Sequence, residues 1–273
     1  MYKVICSDLD GTLLNSDSEL SAENAHAIEK ITEKGYLFVP ATGRTLVEIP
    51  PFIREHKSVR YIIYSNGSGI YDKAEDKYYE TPVTHESILK IIDVIKDYDL
   101  LNLLHIDGSV RLDNHGYERA GEFKVWTPYM KLFNAIPKEL KIENFLEYFK
   151  TVEKMEMLVT FFRRDHNVEA ECRERLSKIP GLHVTASSDG NIEIVNKEAN
   201  KGNAVRRLAK ILGISTAEII TAGDSPNDIE MLTAAGLSLA VSGANDAVKN
   251  AATKVICSND EHIAKYILEN IIE

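Results

Sequence analysis

Cysteine is scarce in this chain. Cys6, Cys172 and Cys257 are its three cysteines in 273 residues, and no two stand at C-x-x-C spacing. That excludes a disulfide framework and a cysteine zinc site, and it points to a reducing compartment. Long apolar runs are missing as well. No stretch reaches the ~20 residues that a membrane-spanning helix requires. Met1-Tyr2-Lys3 leads straight into an apolar segment, so no signal peptide fits before it. The expectation is a cytoplasmic protein with no membrane partner. Positive charge is in deficit: 32 Lys and Arg face 42 Asp and Glu, a net charge of -10. This argues against a broad nucleic-acid or anionic-membrane surface. It leaves small anionic substrates open, because a metal and a few cations reverse the field locally. Internal repeats and low-complexity segments are absent, and the eight histidines show no ligand spacing.

What is present is ordinary in bulk and unusual in one place. With 44% hydrophobic and 27% charged residues the composition is that of a globular protein, long enough for one large domain or two smaller ones. The unusual stretch is residues 3–12, Lys3 to Thr12. Val4-Ile5-Cys6 reads as a buried strand. It stops at two carboxylates one residue apart, Asp8 and Asp10, and Gly11 then permits a turn. Past the strand end the alternation of faces lapses, so the two acids can point different ways around one small site. One can then serve as nucleophile and metal ligand, the other as proton donor and acceptor.

Further strands and helices alternate on either side of a different middle. Residues 21–34 read as a helix capped by Ser21, and 36–40 as a strand closed by Ala41-Thr42-Gly43-Arg44. Residues 45–56 read as a helix that Pro50-Pro51 must kink or break. A third strand, 60–64, precedes the turn at Asn66-Gly67 and a hairpin through 69–71 and 77–79. From about Pro82 the pattern becomes α+β, with hairpins at Asp107-Gly108 and Asp189-Gly190. Parallel alternation resumes at Lys201: a helix to Leu212, a strand at 219–222 ending in Gly223-Asp224-Ser225-Pro226-Asn227-Asp228, then further helices and strands. The fold expected is α/β: a doubly wound, Rossmann-like parallel sheet formed by residues 1–81 and 196–273, interrupted by an α+β cap at 82–195. In such sheets the ligand lies beyond the carboxyl ends of the strands, where Asp8, Asp10, Thr42 and Asp224 all fall.

Those residue types suit one chemistry. Asp8 and Asp224, with a backbone carbonyl, make a hard oxygen site for Mg²⁺. Thr42 offers a hydroxyl, the Gly43-Arg44 turn offers N–H groups favourable for phosphate, and Lys201 brings a compact positive charge. Together they fit phosphoryl transfer, with a metal screening the repulsion between an anionic nucleophile and an anionic phosphate.

The set resembles the haloacid dehalogenase superfamily. Asp8-Leu9-Asp10-Gly11-Thr12 matches its first motif, DxDGT; Thr42 in Ala-Thr-Gly-Arg its second; Lys201-Gly202 its third; and Gly223-Asp224-Ser225-Pro226-Asn227-Asp228 its fourth, GDxxND. The Ser65-Asn66-Gly67 turn, the position of the insert and Ser242-Gly243-Ala244-Asn245 are similar to the Cof-type branch with a C2 cap (class IIB). The resemblance implies that Asp8 attacks phosphorus to give an aspartyl-phosphate and binds Mg²⁺. It implies that Asp10 protonates the leaving oxygen and then activates water, its main-chain carbonyl on the metal, and that Asp224 is the other protein ligand. Thr42, Gly43, Lys201 and Asn227 would hold the phosphoryl oxygens, and Asp228 would support the metal's water shell or Lys201. Asp8 must then be ionised while Asp10 holds a proton, so their environments must differ.

The implied activity is a Mg²⁺-dependent phosphatase for a small phosphorylated metabolite, a sugar phosphate or related compound, working as a monomer or homodimer. Two alternatives stay open: a phosphosugar mutase, and a non-enzymatic module that binds a phosphometabolite. The intact acids at 8, 10 and 224 argue against the second. In the cap, Trp126, Tyr129 and Phe133 read as core packing rather than pocket lining. Arg163-Arg164 reads as an exposed turn rather than an anion site.

Overall fold

The computed structural model describes residues 1–125, 127–164, 168–186 and 189–272. Two compact units result, Met1–Glu80 with Ala199–Glu273, and Thr81–Glu198. No helix among the described residues is long and apolar enough to cross a membrane.

In the first unit the strand Val4–Ser7 is buried along its whole length. Ile5 packs in one cluster with Phe38, Ile220 and Leu239, while Val4 and Cys6 pack in another with Val39 and Ile219. A strand covered on both faces belongs in the middle of an α/β sheet. The parallel sheet runs Lys254–Val255, Leu237–Ala240, Ile219–Gly223, Val4–Ser7, Leu37–Pro40. Helices Ala22–Glu33 and Ile263–Asn270 supply Ile28, Ile31, Ile263 and Ile267 to the first cluster. Helices Lys201–Leu212 and Ile229–Ala234 supply Val205, Leu208 and Met231 to the second. This is the doubly wound arrangement that the alternation of elements implies. Strand order reverses between Val4–Ser7 and Ile219–Gly223. The connections leave these two neighbours toward opposite edges, which opens a crevice at their carboxyl ends.

Two local expectations for this unit change. The helix expected over 45–56 is confined to Pro51–Arg54. The Glu48 carboxylate accepts from both the N–H and the hydroxyl of Thr45, each at 2.7 Å, and folds this stretch into a turn. Pro51 then starts the short helix, a position where a missing N–H costs nothing. The third strand, Tyr61–Tyr64, also does not extend the parallel sheet. It heads an antiparallel sheet with Gly69–Asp72 and Lys77–Glu80, touching its parallel neighbour at one bridge, Ala41 to Ile63. Pro40 has no N–H to give a ladder, so pairing resumes beyond it, where Thr42 N–H donates to Ile63 O at 2.9 Å.

The second unit is a six-stranded sheet in the order Leu182–Thr185, Asn191–Asn196, Met157–Phe162, Leu100–Ile106, Ser109–Asp113, Lys141–Ile142. Its pairs are antiparallel except the last, which is parallel. Asp107 and Gly108, with φ of 52° and 67°, form the tight hairpin expected there. Helices His85–Ile95, Phe145–Lys150 and Glu169–Ser177 cover one face, with Ile88, Ile92, Phe149 and Leu176 against Leu104, Leu158 and Ile192. The stretch that periodicity does not assign contains the helices Asn114–Glu118 and Thr127–Ala135. Phe133 is buried edge-on to Phe161, centroids 5.6 Å apart, and Tyr129 Oη donates to Glu193 at 3.2 Å. Both pack within the unit; Trp126 lies outside the described residues. Arg163-Arg164 is not a free turn. Arg163 pairs with Asp99 at 2.6 Å and Glu122 at 2.8 Å, and Arg164 donates to Phe123 O.

Asp99 also receives both arms of Arg119, at 2.7 and 3.0 Å. Hydrogen bonds from Arg119, then Arg163, hold its carboxyl down at about 2, against the opposing effect of partial burial. A depressed carboxyl stabilises the fold above the unfolded value of about 3.9 and loses that contribution as pH falls through the folded one. Asp99 is half-exposed, so solvent screening limits the effect. In urea denaturation, wild type is expected to lose its margin over Asp99→Asn between about pH 4 and pH 2. A margin that does not change with pH in this window would mean that the pair of arginines contributes nothing through charge.

Candidate active site

Register brings the acids together. Ser7 pairs with Ala222 and with Pro40, so Asp8, Thr42 and Asp224 follow three adjacent strand ends. Asp8 N–H continues the ladder onto Ala222 O at 3.0 Å, which fixes its backbone. Its carboxylate is buried and accepts from Lys201 Nζ at 2.6 Å. Lys201 opens the helix Lys201–Leu212, which is started by the Asn200 side chain accepting from Asn203 N–H at 2.7 Å. The same ammonium donates to Asp228 Oδ1 at 2.7 Å, and Lys201 is 1% exposed. The other oxygen of Asp228 takes the N–H groups of Asp224 and Ser225, both at 3.0 Å. Asp224 is held in turn by the Thr12 hydroxyl at 2.7 Å. Gly11 has φ +79°, and a Cβ there would lie 2.6 Å from Asp224 Oδ2. The turn after Asp10 therefore needs glycine for its backbone and again for its neighbour.

The charges do not balance. Asp8, Asp224 and Asp228 each place an oxygen within 4.8 Å of the others, against the single ammonium of Lys201. Burial pushes the Asp8 carboxyl well above its usual range; Lys201 opposes this, while Asp228 and Asp224 add to it. Asp224 is likewise raised, first by burial, with the Thr12 hydrogen bond opposing and Asp228 reinforcing. Burial works against the charge on Lys201, but Asp228 and Asp8 outweigh it and hold the ammonium protonated above its usual range. An extra cation among these oxygens would restore Asp8 to its ionised form. The donor set is all hard oxygen, so it fits a divalent metal.

A second feature lies at the end of the neighbouring strand. Thr42 is buried; its Oγ1 accepts from Arg44 N–H at 3.1 Å, which leaves the hydroxyl proton to give. Among the described residues the Gly43 N–H has no acceptor. Uncommitted donors at one turn form an anion cradle. Asn227 sits beyond it, with Nδ2 donating to Asn66 Oδ1 at 2.9 Å and Oδ1 accepting from Ser225 Oγ at 2.6 Å. Asp10 stands apart from the acid cluster. Both its oxygens meet the Arg44 guanidinium, Nη2 to Oδ1 at 2.6 Å and Nε to Oδ2 at 2.8 Å.

The residues singled out in the sequence thus gather in two groups, Asp8, Lys201, Asp224 and Asp228 in one and Thr42 and Gly43 in the other, with Asn227 near the second. Three partners do more than the sequence suggests. Thr12 lies inside the first motif with no role expected there, yet its hydroxyl holds Asp224. Arg44 is expected to offer its N–H to phosphate, but that N–H donates to Thr42 Oγ1 and its guanidinium meets Asp10. Asn66 reads as a residue of the Ser65-Asn66-Gly67 turn, and nothing local signals its contact with Asn227.

A family model described as haloacid dehalogenase-like hydrolase matches residues 5–267. A Bacillus subtilis 5-amino-6-(5-phospho-D-ribitylamino)uracil phosphatase, YwtE, is 30% identical, covering 99% of this chain and 98% of that protein. A crystal structure from Thermotoga maritima superposes with a TM-score of 0.83 at 29% identity, covering 100% and 98% of the two chains. A haloacid dehalogenase subclass IIB sugar phosphatase shares the fold at 20% identity, TM-score 0.77, covering 97% of each chain.

A divalent cation that fills the acid cluster should stabilise the folded chain by mass action, by about 2.7 kcal/mol at about 100 times its Kd. The expected reading is a rise of several degrees in melting temperature on titrating Mg²⁺, absent in Asp224→Ala. An equal rise in that variant would put the cation elsewhere.

Proposed function

This chain belongs to the haloacid dehalogenase-like hydrolase family as a phosphatase, and we propose that it is Mg²⁺-dependent and hydrolyses a small phosphorylated metabolite through an aspartyl-phosphate on Asp8. The observation that carries this reading is the buried Asp8 carboxylate, tied to Lys201 and left with excess negative charge by Asp224 and Asp228. A purely structural ion pair has no use for that excess.

In the proposed cycle Thr42 Oγ1, Gly43 N–H, Lys201 and Asn227 hold the phosphoryl oxygens. Lys201 has three donors and two are spent on Asp8 and Asp228, so one remains for substrate. Asp8, Asp224 and the main-chain carbonyl of Asp10 would hold Mg²⁺, which supplies neutralisation of the approaching anions. Asp8 attacks phosphorus, and the bond to the leaving oxygen breaks as Asp10 gives that oxygen a proton. Asp10 then takes a proton from water as the water attacks the same phosphorus. Phosphate leaves and the Asp8 carboxylate is restored. Each oxygen of Asp10 accepts one N–H of Arg44, which orients the carboxyl, and each keeps a second lone pair at which the transferred proton can sit. Asp228 acts by fixing Lys201 and the Asp224 turn.

The residues 82–195 are proposed as the cap that sets specificity, and the substrate class as sugar or sugar-alcohol phosphates. A relative named for a ribitylamino-uracil phosphate, with its phosphate on a sugar alcohol, supports that class. The proposed location is the cytoplasm, where the free thiols of Cys6, Cys172 and Cys257 stay reduced.

Phosphate release from a panel of sugar and sugar-alcohol phosphates, with Mg²⁺ and with chelator, tests the reading. Asp8→Asn should lose at least about 10³-fold in kcat/KM, and chelation should abolish turnover. Turnover that is indifferent to both would sink it.

A further inference from the structure

Asn66 sits on a backbone that ordinary residues avoid. Ser65 and Asn66 both have positive φ, 47° and 52°, followed by Gly67 at 89°. Such strain persists where the surroundings over-determine it. Here Ser65 N–H donates to Arg44 O at 2.9 Å and Asn66 N–H to Thr42 O at 3.0 Å. The strained turn is therefore bound to the segment that carries the Thr42-Gly43 cradle.

The side chain has a direction, and hydrogen bonds set it. The Ser225 hydroxyl faces Asn227 Oδ1 at 2.6 Å and Asp228 Oδ2 at 3.4 Å; the shorter contact takes its proton, so the Asn227 amide NH₂ points the other way, to Asn66 Oδ1 at 2.9 Å. That fixes the Asn66 carboxamide with its oxygen toward Asn227 and its NH₂ free. Among the described residues no acceptor takes a proton from Asn66 Nδ2. The carboxamide lies on Gly43: a Cβ there would be 3.1 Å from Asn66 Oδ1 and 3.3 Å from Nδ2. The uncommitted NH₂ thus lies beside Gly43, whose own N–H is uncommitted, and next in sequence to the Thr42 hydroxyl.

We infer that Asn66 is a further substrate-binding residue whose Nδ2 donates to a phosphoryl oxygen, oriented by the Ser225–Asn227 relay. This rests on the phosphatase reading above for its substrate. It changes the part Asn227 plays: one of its amide protons is committed to aiming Asn66, in addition to any contact of its own.

The test is calorimetric binding of inorganic phosphate, with Mg²⁺ present, beside steady-state turnover, in wild type, Asn66→Gly and Asn66→Asp. Glycine accepts the left-handed backbone, so the melting temperature should hold. Losing a donor to a charged group should weaken phosphate binding and raise KM by about ten- to a hundredfold. Asn66→Asp keeps an acceptor for Asn227 but turns the donor into a carboxylate oxygen, so it should bind phosphate more weakly still. Wild-type phosphate affinity in either variant would overturn the inference. If Asn66→Asp binds as wild type and Asn66→Gly does not, Asn66 is a brace for Asn227 and the inference also falls. Phosphate binding that depends on Asn66, in a protein that hydrolyses no monoester, would keep the inference and defeat the phosphatase reading instead.

Discussion

The Lys201 ammonium stands between two carboxylates with almost no solvent, 2.6 Å from Asp8 and 2.7 Å from Asp228. Burying such a group is costly, and the cost is met only when geometry and partner hydrogen bonds are good. Much of the first unit arranges that geometry. The central strand delivers Asp8, the N-terminus of a helix delivers Lys201, and the turn after Ile219–Gly223 delivers Asp224 and Asp228. Lys201 bonds to both Asp8 and Asp228 but carries one charge, so when Asp228 is counted as paired, Asp8 and Asp224 remain as two uncompensated carboxylates. The acid cluster has the charge and the hard oxygen donors to hold a divalent cation, which in the proposed mechanism links this ion pair to phosphoryl transfer.

The sheet order explains why the constraint can be met at all. Val4–Ser7 and Ile219–Gly223 are far apart in sequence and adjacent in space, and the order reverses between them. Their carboxyl ends are therefore free of crossing connections. Gly11 and Thr12 then keep the first turn from filling the space and hold the Asp224 carboxylate in place. Asp10, two residues from Asp8, lies in a wetter and separately paired environment with Arg44. Adjacent acids with different surroundings are what a divided acid–base and nucleophile role requires.

Much of this is legible in the amino-acid sequence, because it depends on local signals. Val4-Ile5-Cys6 before Asp8, the Ser21 cap, and the glycine turns at 107–108 and 189–190 each act through their own backbone chemistry. Four short motifs in order mark the acids and Lys201. What escapes depends on contacts between distant segments. The pairing of Asp10 with Arg44, of Thr12 with Asp224 and of Asn66 with Asn227 spans 34, 212 and 161 residues, and no periodicity encodes them. The stretch 45–56 misleads because a side chain, Glu48, captures Thr45 and competes with the helix. The third strand misleads because Pro40 interrupts the ladder on the strand beside it.

In the proposed mechanism Asp8 itself takes the phosphoryl group. Borohydride reduction during turnover converts an aspartyl-phosphate to homoserine, which peptide mass spectrometry locates. Homoserine is expected at position 8 when a hydrolysed monoester and Mg²⁺ are present, and none without substrate. Sustained turnover with an unmodified Asp8, or with the modification at another carboxylate, would contradict it.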